Sequence, residues 1–230
     1  SKILFNKTSY KEIGKLISQG NVIANFFGGS EYGPRALGNR SILADPRKKH
    51  IRDHINKNIK HREIFRPFAP SILEEHSLNY FNIAKSPFML RVTNCKKKSR
   101  IPSALHVDNT ARVQTVNKKD NPNFYKIINA FYKITNVPVL LNTSFNDAGE
   151  PLVETPLDAI ISALKTNVDY LVLDRYLVPI NRIDSNKKSK LLKKLEKNRL
   201  KEIKKNEIVA LKKLTKNYSY YELKRKIKDN

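Results

Sequence analysis

Residues 21–45, NVIANFFGGSEYGPRALGNRSILAD, contain two short apolar runs on either side of a glycine-rich loop. NVIANFF (21–27) and RSILAD (40–45) have the length and apolar character of buried strands. The loop GGSEYGPRALG (28–38) combines several glycines with a proline, which is typical of a segment that turns at the end of a strand. The stretch therefore predicts two strands joined by a structured loop.

Helical and strand patterns continue on both sides of this stretch. Thr8 or Ser9 can cap a helix over residues 10–19 that stops at Gly20, and Asp45 with Pro46 predicts the start of a helix reaching about Lys60. Two later helices are predicted at NPNFYKIINAFYKIT (121–135) and at TPLDAIISAL (155–164), whose cap is Thr155. Further strands are predicted at FAPSIL (68–73), FMLRV (88–92), VPVLLNTS (137–144) and VDYLVLDRYLV (168–178, one strand or a pair), with LHVDNTARVQTV (105–116) as a hairpin or bent strand.

This mixture of helices and strands, without an internal repeat, predicts an α/β (α+β) domain built on a mixed sheet. Residues 1–184 would form that domain. Residues 185–230 form a Lys-rich segment with loosely helical apolar spacing, and they are predicted to be a basic helical tail.

Composition limits the class of protein. The 230 residues include 40% hydrophobic ones, too many for a disordered polyelectrolyte, and no apolar run approaches the ~20 residues of a membrane span. Cys95 is the only cysteine, so an internal disulfide is excluded and a reducing, cytoplasmic location is expected.

The net charge of +24 is unevenly distributed. Residues 185–230 hold 17 Lys/Arg against 5 Asp/Glu, so a fifth of the chain carries half of the excess charge. Such a tail can contact nucleic acid or an anionic surface, or it can be a solvated helix. Arginine is concentrated elsewhere, and its planar fork suits phosphate or carboxylate. Six of the 13 arginines lie within 32 residues: Arg35, Arg40, Arg47, Arg52, Arg62 and Arg66.

Two segments carry candidate anion-binding cations. The segment EYGPRALGNR (31–40) combines glycines with Arg35 and Arg40 just after a strand end, where amide N–H groups and guanidinium groups can meet one anion. IKHREIFRPFAP (59–70) carries Lys60, Arg62 and Arg66. In an extended segment Lys60 and Arg62 would share a face, with either an anion between them or acids from elsewhere in the fold as partners.

Polar residues also alternate at two strand ends. Asn142, Ser144 and Asn146 follow the apolar run VPVLL, at the position where α/β sheets bind ligands, although a plain turn would look similar. HVDNTARVQTV has the same period of two, which a ligand cleft or a solvent-facing strand would explain. Its polar positions are His106, Asp108, Thr110, Arg112 and Gln114.

Other catalytic signatures are weak. His50 and His54 have metal-ligand spacing but no evident third ligand, so no metal site is predicted in this chain. The sequence has no nucleophile elbow, P-loop or cysteine cluster, which argues against a covalent hydrolase or a P-loop NTPase.

The ordered segments GGSEYGPRALGNRSILADPR, IKHREIFRPFAP, HVDNTARVQTV and VPVLLNTSFNDAGEPLVETPLDA resemble the C-terminal domain of the O-carbamoyltransferase family, over about residues 10–180. This family includes nodulation-factor and antibiotic carbamoyltransferases, and its C-terminal domain is similar to YrdC-like domains. The resemblance implies a YrdC-like mixed, twisted sheet flanked by helices. The YrdC-like signature Lys-x-Arg, then Ser-x-Asn, falls on Lys60, Arg62, Ser144 and Asn146.

The resemblance implies that ATP, accompanied by Mg²⁺, and carbamoyl phosphate yield carbamoyl-adenylate. A separate N-terminal domain, which holds the family's metal site and is outside these residues, would pass the carbamoyl group to a hydroxyl acceptor. On this basis Lys60, Arg62 and Arg66 are expected to be catalytic. The expected nucleotide and carbamoyl-adenylate ligands are Arg35, Arg40, Thr110, Arg112, Asn142, Ser144 and Asn146.

The sequence departs from the family pattern at Asn109 and Asn136, where the family has glycine. Asparagine tolerates positive φ better than other residues, so both turns are expected to persist. Gly29–Ser30 also replaces a segment that commonly includes an arginine. Two other functions fit the basic fold: a nucleic-acid-binding YrdC-like module, and a tRNA threonylcarbamoyl-AMP synthase.

Overall fold

The computed structural model describes residues 6–217, with side chains described through residue 206. By their internal contacts the residues group into two compact units that meet at Asp184 and Ser185. The helices of the first unit are α1 (Tyr10–Ser18), α2 (Ile51–His54), α3 (Ser77–Tyr80), α4 (Pro122–Thr135) and α5 (Pro156–Thr166), with a π-helix at Ile55–Ile59. Its strands are β1 (Asn6–Lys7), β2 (Ile23–Phe26), β3 (Arg40–Ala44), β4 (Ala69–Leu73), β5 (Val92–Asn94), β6 (Thr110–Arg112), β7 (Gln114–Val116), β8 (Val139–Ser144), β9 (Tyr170–Leu173) and β10 (Tyr176–Pro179).

Eight strands form one mixed sheet in the order β1-β10-β9-β2-β3-β8-β4-β7. The β2–β9 and β4–β7 pairs are parallel, and the other five neighbouring pairs of this sheet are antiparallel. The central strands β2 and β3 are buried along their whole length, as their continuous apolar pattern predicts. The predicted α/β class with a mixed sheet and flanking helices is confirmed.

Helices α1 and α4 pack closely together. Ser9 caps α1, as predicted, by accepting a hydrogen bond from the Glu12 backbone N–H. A Cβ atom at Gly14 would lie 2.7 Å from the backbone nitrogen of Phe131, so only glycine permits this approach. The buried side chains Ile13, Ile17 and Phe131 then complete the core between the helices and the sheet.

Two predicted elements are wrong in their bounds. Asp45 does not cap a helix, because α2 begins only at Ile51 and the buried Asp45 carboxylate pairs with Arg47 at 2.7 Å. An acid that closes a turn on its own neighbour cannot also cap a distant helix. FMLRV is a strand only from Val92 onward, because Met89 has the left-handed φ of 55°.

Several local predictions are confirmed. Thr155 caps α5 in a capping box with Asp158. Asn109 and Asn136 have φ values of 63° and 55°, the left-handed conformation that asparagine tolerates, so both turns persist as expected. HVDNTARVQTV bends at the buried Val113 into two strands: β6 pairs with β5 in a separate two-stranded sheet, and β7 pairs with β4 in the main sheet.

The second unit contains a single described helix, α6, which runs over Ser185–Asn217. Residues 218–230 of the predicted tail lie outside the described residues. Across residues 6–217, no helix is both long and apolar enough to cross a membrane.

Candidate functional site

Lys60 lies at the end of the π-helix Ile55–Ile59, and His61 follows with a left-handed φ of 45°. Lys60 to Arg62 is therefore not an extended segment, because a helix ends at Lys60, close to the predicted position, and the backbone reverses at His61. Even so, Lys60 and Arg62 line the same cavity.

Lys60 joins the two halves of the predicted signature. Its Nζ donates to the backbone oxygen of Ser144 at 3.0 Å, to the backbone oxygen of Asn146 at 2.7 Å and to Asn146 Oδ1 at 2.6 Å. Ser144 Oγ donates to the same Oδ1 at 2.7 Å. Because β8 ends at Ser144, the strand end holds these oxygens in position around the ammonium group.

Electrostatics make Lys60 unusual. Its side chain is buried, with 4% of the residue's surface exposed. Burial, and secondly the positive charge of Arg62, lower the pKa of Lys60 to about 7, while Asp147 acts in the opposite direction. An anion placed beside Lys60 would favour its charged form.

Arg62 is positioned by a residue that the sequence analysis missed, Asn56. Asn56 Oδ1 accepts a hydrogen bond from Arg62 Nε at 2.8 Å, and Asn56 Nδ2 donates to the backbone oxygens of Ile64 and Arg66. The guanidinium also stacks on Phe68, 4.9 Å from the ring centroid. A buried asparagine within the apolar face of a helix was the available signal. Burial, followed by repulsion from Arg66, lowers the pKa of Arg62.

Two adjoining cavities share Arg62 and Ser144 as wall residues. The larger one, which we call the lysine cavity, has a volume of about 310 Å³ and is also lined by Lys60, Arg66 and Asn146. The smaller one, the arginine cavity, has a volume of about 130 Å³ and is also lined by Arg35, Arg112 and Asn142. Eight of the ten predicted site residues therefore line the two cavities.

The arginine cavity has unsatisfied polar atoms in its wall. Asn142 Nδ2 donates to the Ala36 backbone oxygen, Ser71 Oγ and Gln114 Oε1, which fixes the orientation of the amide. Asn142 Oδ1 and Arg112 Nε are buried without a hydrogen-bond partner among the described residues. Burial and, secondarily, the nearby Arg35 lower the pKa of Arg112. These groups fit an anionic ligand that also carries a donor.

Arg40 does not act as predicted. It is 2% exposed, and its guanidinium stacks on Phe26. Its N–H groups donate to the backbone oxygens of Phe27, Gly28, Asn39 and Val153. Four of its five guanidinium N–H groups thus contact backbone oxygens, and Arg40 lines neither cavity, so it holds the glycine-rich loop to the residues before α5.

Thr110 is also absent from the residues lining the two cavities. Its hydroxyl donates to Asp108 Oδ1 at 2.7 Å and lies 2.9 Å from His106 Nδ1, so these polar residues close a turn before β6. Glu31 was missed, although its Oε1 accepts from the backbone N–H groups of Leu37, Asn39 and Arg40 and thereby shapes the loop. A single acid inside a glycine-rich loop was the signal for it.

Carboxylates are few near these cavities. Glu63 pairs with Arg66 at 2.8 Å, and Asp147 pairs with His61 at 3.3 Å. The part of the chain that the structure describes contains no group of three His, Cys, Asp or Glu residues that could hold a metal ion. The site is therefore predominantly cationic.

Comparison of the fold with solved structures shows a YrdC-like architecture. Full-length HypF in its phosphate- and nucleotide-bound form matches with a TM-score of 0.52 and 16% identity, over 79% of this chain and 23% of HypF. Sua5 from P. abyssi, solved with L-threonine, matches with a TM-score of 0.50 and 16% identity, over 72% of this chain and 46% of Sua5.

Relatives found by sequence are more similar to this chain than these two structures are. The nodulation protein NolO of Bradyrhizobium diazoefficiens is 49% identical over 168 residues, which are 70% of this chain and 31% of NolO. The 3′-hydroxymethylcephem-O-carbamoyltransferase of Amycolatopsis lactamdurans is 34% identical over 165 residues, 71% of this chain and 32% of the relative. The chain thus spans about a third of the length of these two relatives. The profile described as carbamoyltransferase C-terminus matches residues 14–179, and the chain belongs to the carbamoyltransferase family through this C-terminal domain.

Proposed function

We propose that this domain binds ATP and carbamoyl phosphate in the lysine and arginine cavities and forms carbamoyl-adenylate. The observation that carries the proposal is the buried Lys60 Nζ, which lies between the oxygens of Ser144 and Asn146 and beside Arg62. Among the described residues the hydrogen-bond partners of Lys60 Nζ are neutral oxygens, so an anionic ligand beside Lys60 would favour its charged form and be held by it.

The charges of the two cavities support this choice of substrates. Lys60, Arg62 and Arg66 line the lysine cavity, and Arg35 and Arg112 extend the positive surface into the arginine cavity. Adenylation concentrates negative charge on three phosphate groups and a carbamoyl donor, so catalysis would consist of positioning and electrostatic stabilisation. Ser144 and Asn146, at and just after the end of β8, would position the phosphates.

Formation of carbamoyl-adenylate would take two steps. Water cleaves carbamoyl phosphate to carbamate and inorganic phosphate. A carbamate oxygen then attacks the α-phosphorus of ATP, the bond to the β-phosphate oxygen breaks, and pyrophosphate leaves. The carbamoyl-adenylate keeps the carbamoyl nitrogen, for which Asn142 Oδ1 is a suitable hydrogen-bond acceptor.

Mg²⁺ would accompany the nucleotide. Glu63 and Asp147 line the lysine cavity, yet Glu63 is already paired with Arg66 and Asp147 lies against the His61 ring. These residues suit contacts to magnesium-bound water better than a dedicated protein site, so phosphate oxygens would supply the metal ligands.

Transfer to a hydroxyl acceptor would need a further domain, because this chain covers about a third of its relatives. We propose an N-terminal transferase domain or subunit, with its own metal site, as the partner that receives the carbamoyl-adenylate. The basic helix α6 would add at most a weak contact with an anionic surface or nucleic acid.

The test is mass-spectrometric detection of carbamoyl-adenylate after incubation of the chain with ATP, Mg²⁺ and ¹³C-labelled carbamoyl phosphate. We expect a labelled adenylate with wild-type protein and none with Lys60→Met. Lys57→Met is the matched control, because Lys57 is an exposed lysine on the adjoining π-helix. Equal amounts of labelled carbamoyl-adenylate from Lys60→Met and Lys57→Met would contradict the proposal.

A further inference from the structure

Helix α6 carries most of its lysines on one face. Successive residues of an α-helix are rotated by about 100°, so the sequence fixes which side chains share a face. Between residues 190 and 205, an arc of about 120° contains seven positions, and all seven are lysines. This face, which we call the lysine stripe, is about 22 Å long. It consists of Lys190, Lys193, Lys194, Lys197, Lys201, Lys204 and Lys205.

The positive charge of the lysine stripe is open to a ligand. All seven side chains are exposed, and no ion pair among the described residues involves them. Both acids of this stretch, Glu196 and Glu202, lie outside the arc. Like charges three and four residues apart destabilise a helix. A bound polyanion would relieve this repulsion.

The apolar side chains of α6 lie on its other side. Leu191, Leu192 and Leu195 are partly buried, so they are not free to enter a lipid bilayer. Leu200 and Ile203 are 59% and 43% exposed. Two such residues are a small surface compared with the continuous apolar face by which helices lie in a membrane interface. The exposed face available for binding is therefore the lysine stripe.

The composition of the lysine stripe favours one class of polyanion. Protein interfaces bury an apolar centre, and the stripe contains no apolar residue. Proteins bind single-stranded nucleic acids by stacking bases on aromatic rings, and residues 185–206 contain no Phe, Tyr or Trp. The phosphates of a nucleic acid duplex need only cations, because they form a regular array of negative charge. The stripe thus matches a duplex backbone.

The dimensions of α6 favour DNA over RNA. An α-helix with its side chains is about 10–12 Å wide, and the major groove of B-form DNA is about 12 Å wide. The major groove of A-form RNA is deep and narrow. With the helix along a DNA groove, the two edges of the stripe would face the two flanking backbones. Lys193 and Lys204 lie on one edge, and Lys194 and Lys205 lie on the other.

We propose that the lysine stripe of α6 binds the phosphate backbone of double-stranded DNA without sequence preference. The proposal goes beyond the adenylation chemistry, because no residue of the stripe lines the lysine or the arginine cavity. Binding through phosphates alone weakens steeply as the salt concentration rises. The contact would therefore be weak at physiological salt and strong at low salt.

Fluorescence anisotropy of a labelled DNA duplex of about 20 base pairs, titrated with the full chain between about 50 and 200 mM salt, tests the proposal. A fourfold variant replaces Lys190, Lys194, Lys197 and Lys201 with glutamine, which is a good helix former. We expect it to bind DNA about tenfold or more weakly at the lowest salt. Its plot of log Kobs against log salt concentration should be shallower by about 3 to 4.

The matched control replaces four exposed lysines of the first unit with glutamine: Lys11, Lys15, Lys118 and Lys133. The net charge changes by the same amount, but the lysine stripe stays intact, so the control should keep the wild-type salt dependence. Circular dichroism should show the same helix content in both variants. Equal weakening of DNA binding in the two variants, or no DNA binding by the wild type at low salt, would overturn the proposal.

Two further ligands identify the polyanion: an RNA duplex of the same length, and vesicles of phosphatidylserine and phosphatidylcholine in equal parts. We expect both to bind more weakly than DNA. Binding of either one as tightly as DNA would overturn the assignment to DNA. Carbamoyl-adenylate formation by the fourfold stripe variant should equal that of the wild type. The outcome for the lysine stripe is thereby separate from the outcome for the proposed function.

Discussion

Lys60 Nζ lies 2.6 Å from Asn146 Oδ1, although 86 residues separate the two in sequence. The contact joins the end of the π-helix to the segment after β8, and Arg62 and Ser144 line the same cavity as these two residues. Burial of a lysine at this position is costly unless its charge is compensated. A phosphate-binding role explains it, because an anion would compensate the buried charge.

Removing this cation should abolish ATP chemistry without unfolding the domain. Lys60→Met keeps the length of the side chain and loses only the ammonium group. We expect a loss of carbamoyl-adenylate formation of about 10²- to 10³-fold, the range typical for one preorganised electrostatic group. Steady-state rates and the circular dichroism of both proteins would check this, with Lys57→Met expected to retain normal rates. Normal turnover in Lys60→Met would exclude Lys60 from the chemistry.

Stability should depend on pH through Lys60. Its pKa is about 7 in the folded protein and near the ordinary 10.5 in the unfolded chain. Between these values the unfolded chain binds more protons, so the free energy of unfolding should rise as the pH increases from about 7 towards 10.5. Urea unfolding at pH 7 and pH 9.5 should show this gain relative to Lys60→Met. The lowered pKa of Lys60 would be contradicted if the difference in unfolding free energy between wild type and Lys60→Met stayed constant or fell as the pH rose.

Arg35 and Arg40 should respond differently to the same substitution. Arg40→Met leaves several buried backbone oxygens without donors, so it should lower the free energy of unfolding by about 3 kcal/mol. Arg35→Met alters an exposed cation of the arginine cavity, so it should weaken ATP binding with little effect on stability. Chemical denaturation and calorimetric ATP titration of both variants separate the two roles. The reverse pattern would restore Arg40 as a phosphate ligand.

Asn56 should matter through Arg62. Asn56→Leu removes the Oδ1 acceptor of Arg62 Nε and the Nδ2 donor to the Ile64 and Arg66 backbone oxygens at similar side-chain volume. We expect a loss of stability of about 1–3 kcal/mol, together with weaker ATP binding. Asn58→Leu is the control, because Asn58 is exposed on the same π-helix. If both variants show the same stability and affinity, Asn56 does not position Arg62.

Local sequence patterns predicted much of the fold. The apolar runs at β2, β3 and β8 identified these strands, because a buried strand can be recognised from its own run of apolar residues. Ser9 and Thr155 marked helix starts for the same local reason. The Asp45 prediction failed because Arg47, two residues away, competes for the carboxylate.

The site was predicted less completely, since its members meet only in three dimensions. The resemblance to a family placed Lys60 and Arg62 with Ser144 and Asn146, which no local pattern could do. Arg40 could not be distinguished from Arg35, because only the fold reveals that backbone oxygens surround its guanidinium. Thr110 lies outside the cavities, where its hydroxyl closes a turn on Asp108, although Arg112 of the same strand lines the arginine cavity.

The most direct measurement is pyrophosphate release from ATP by the purified chain, with and without carbamoyl phosphate. We predict release that requires carbamoyl phosphate, with one pyrophosphate formed for each AMP-containing product, and none with Lys60→Met. Pyrophosphate release that is independent of carbamoyl phosphate, or that is no greater than in Lys60→Met, would contradict the account.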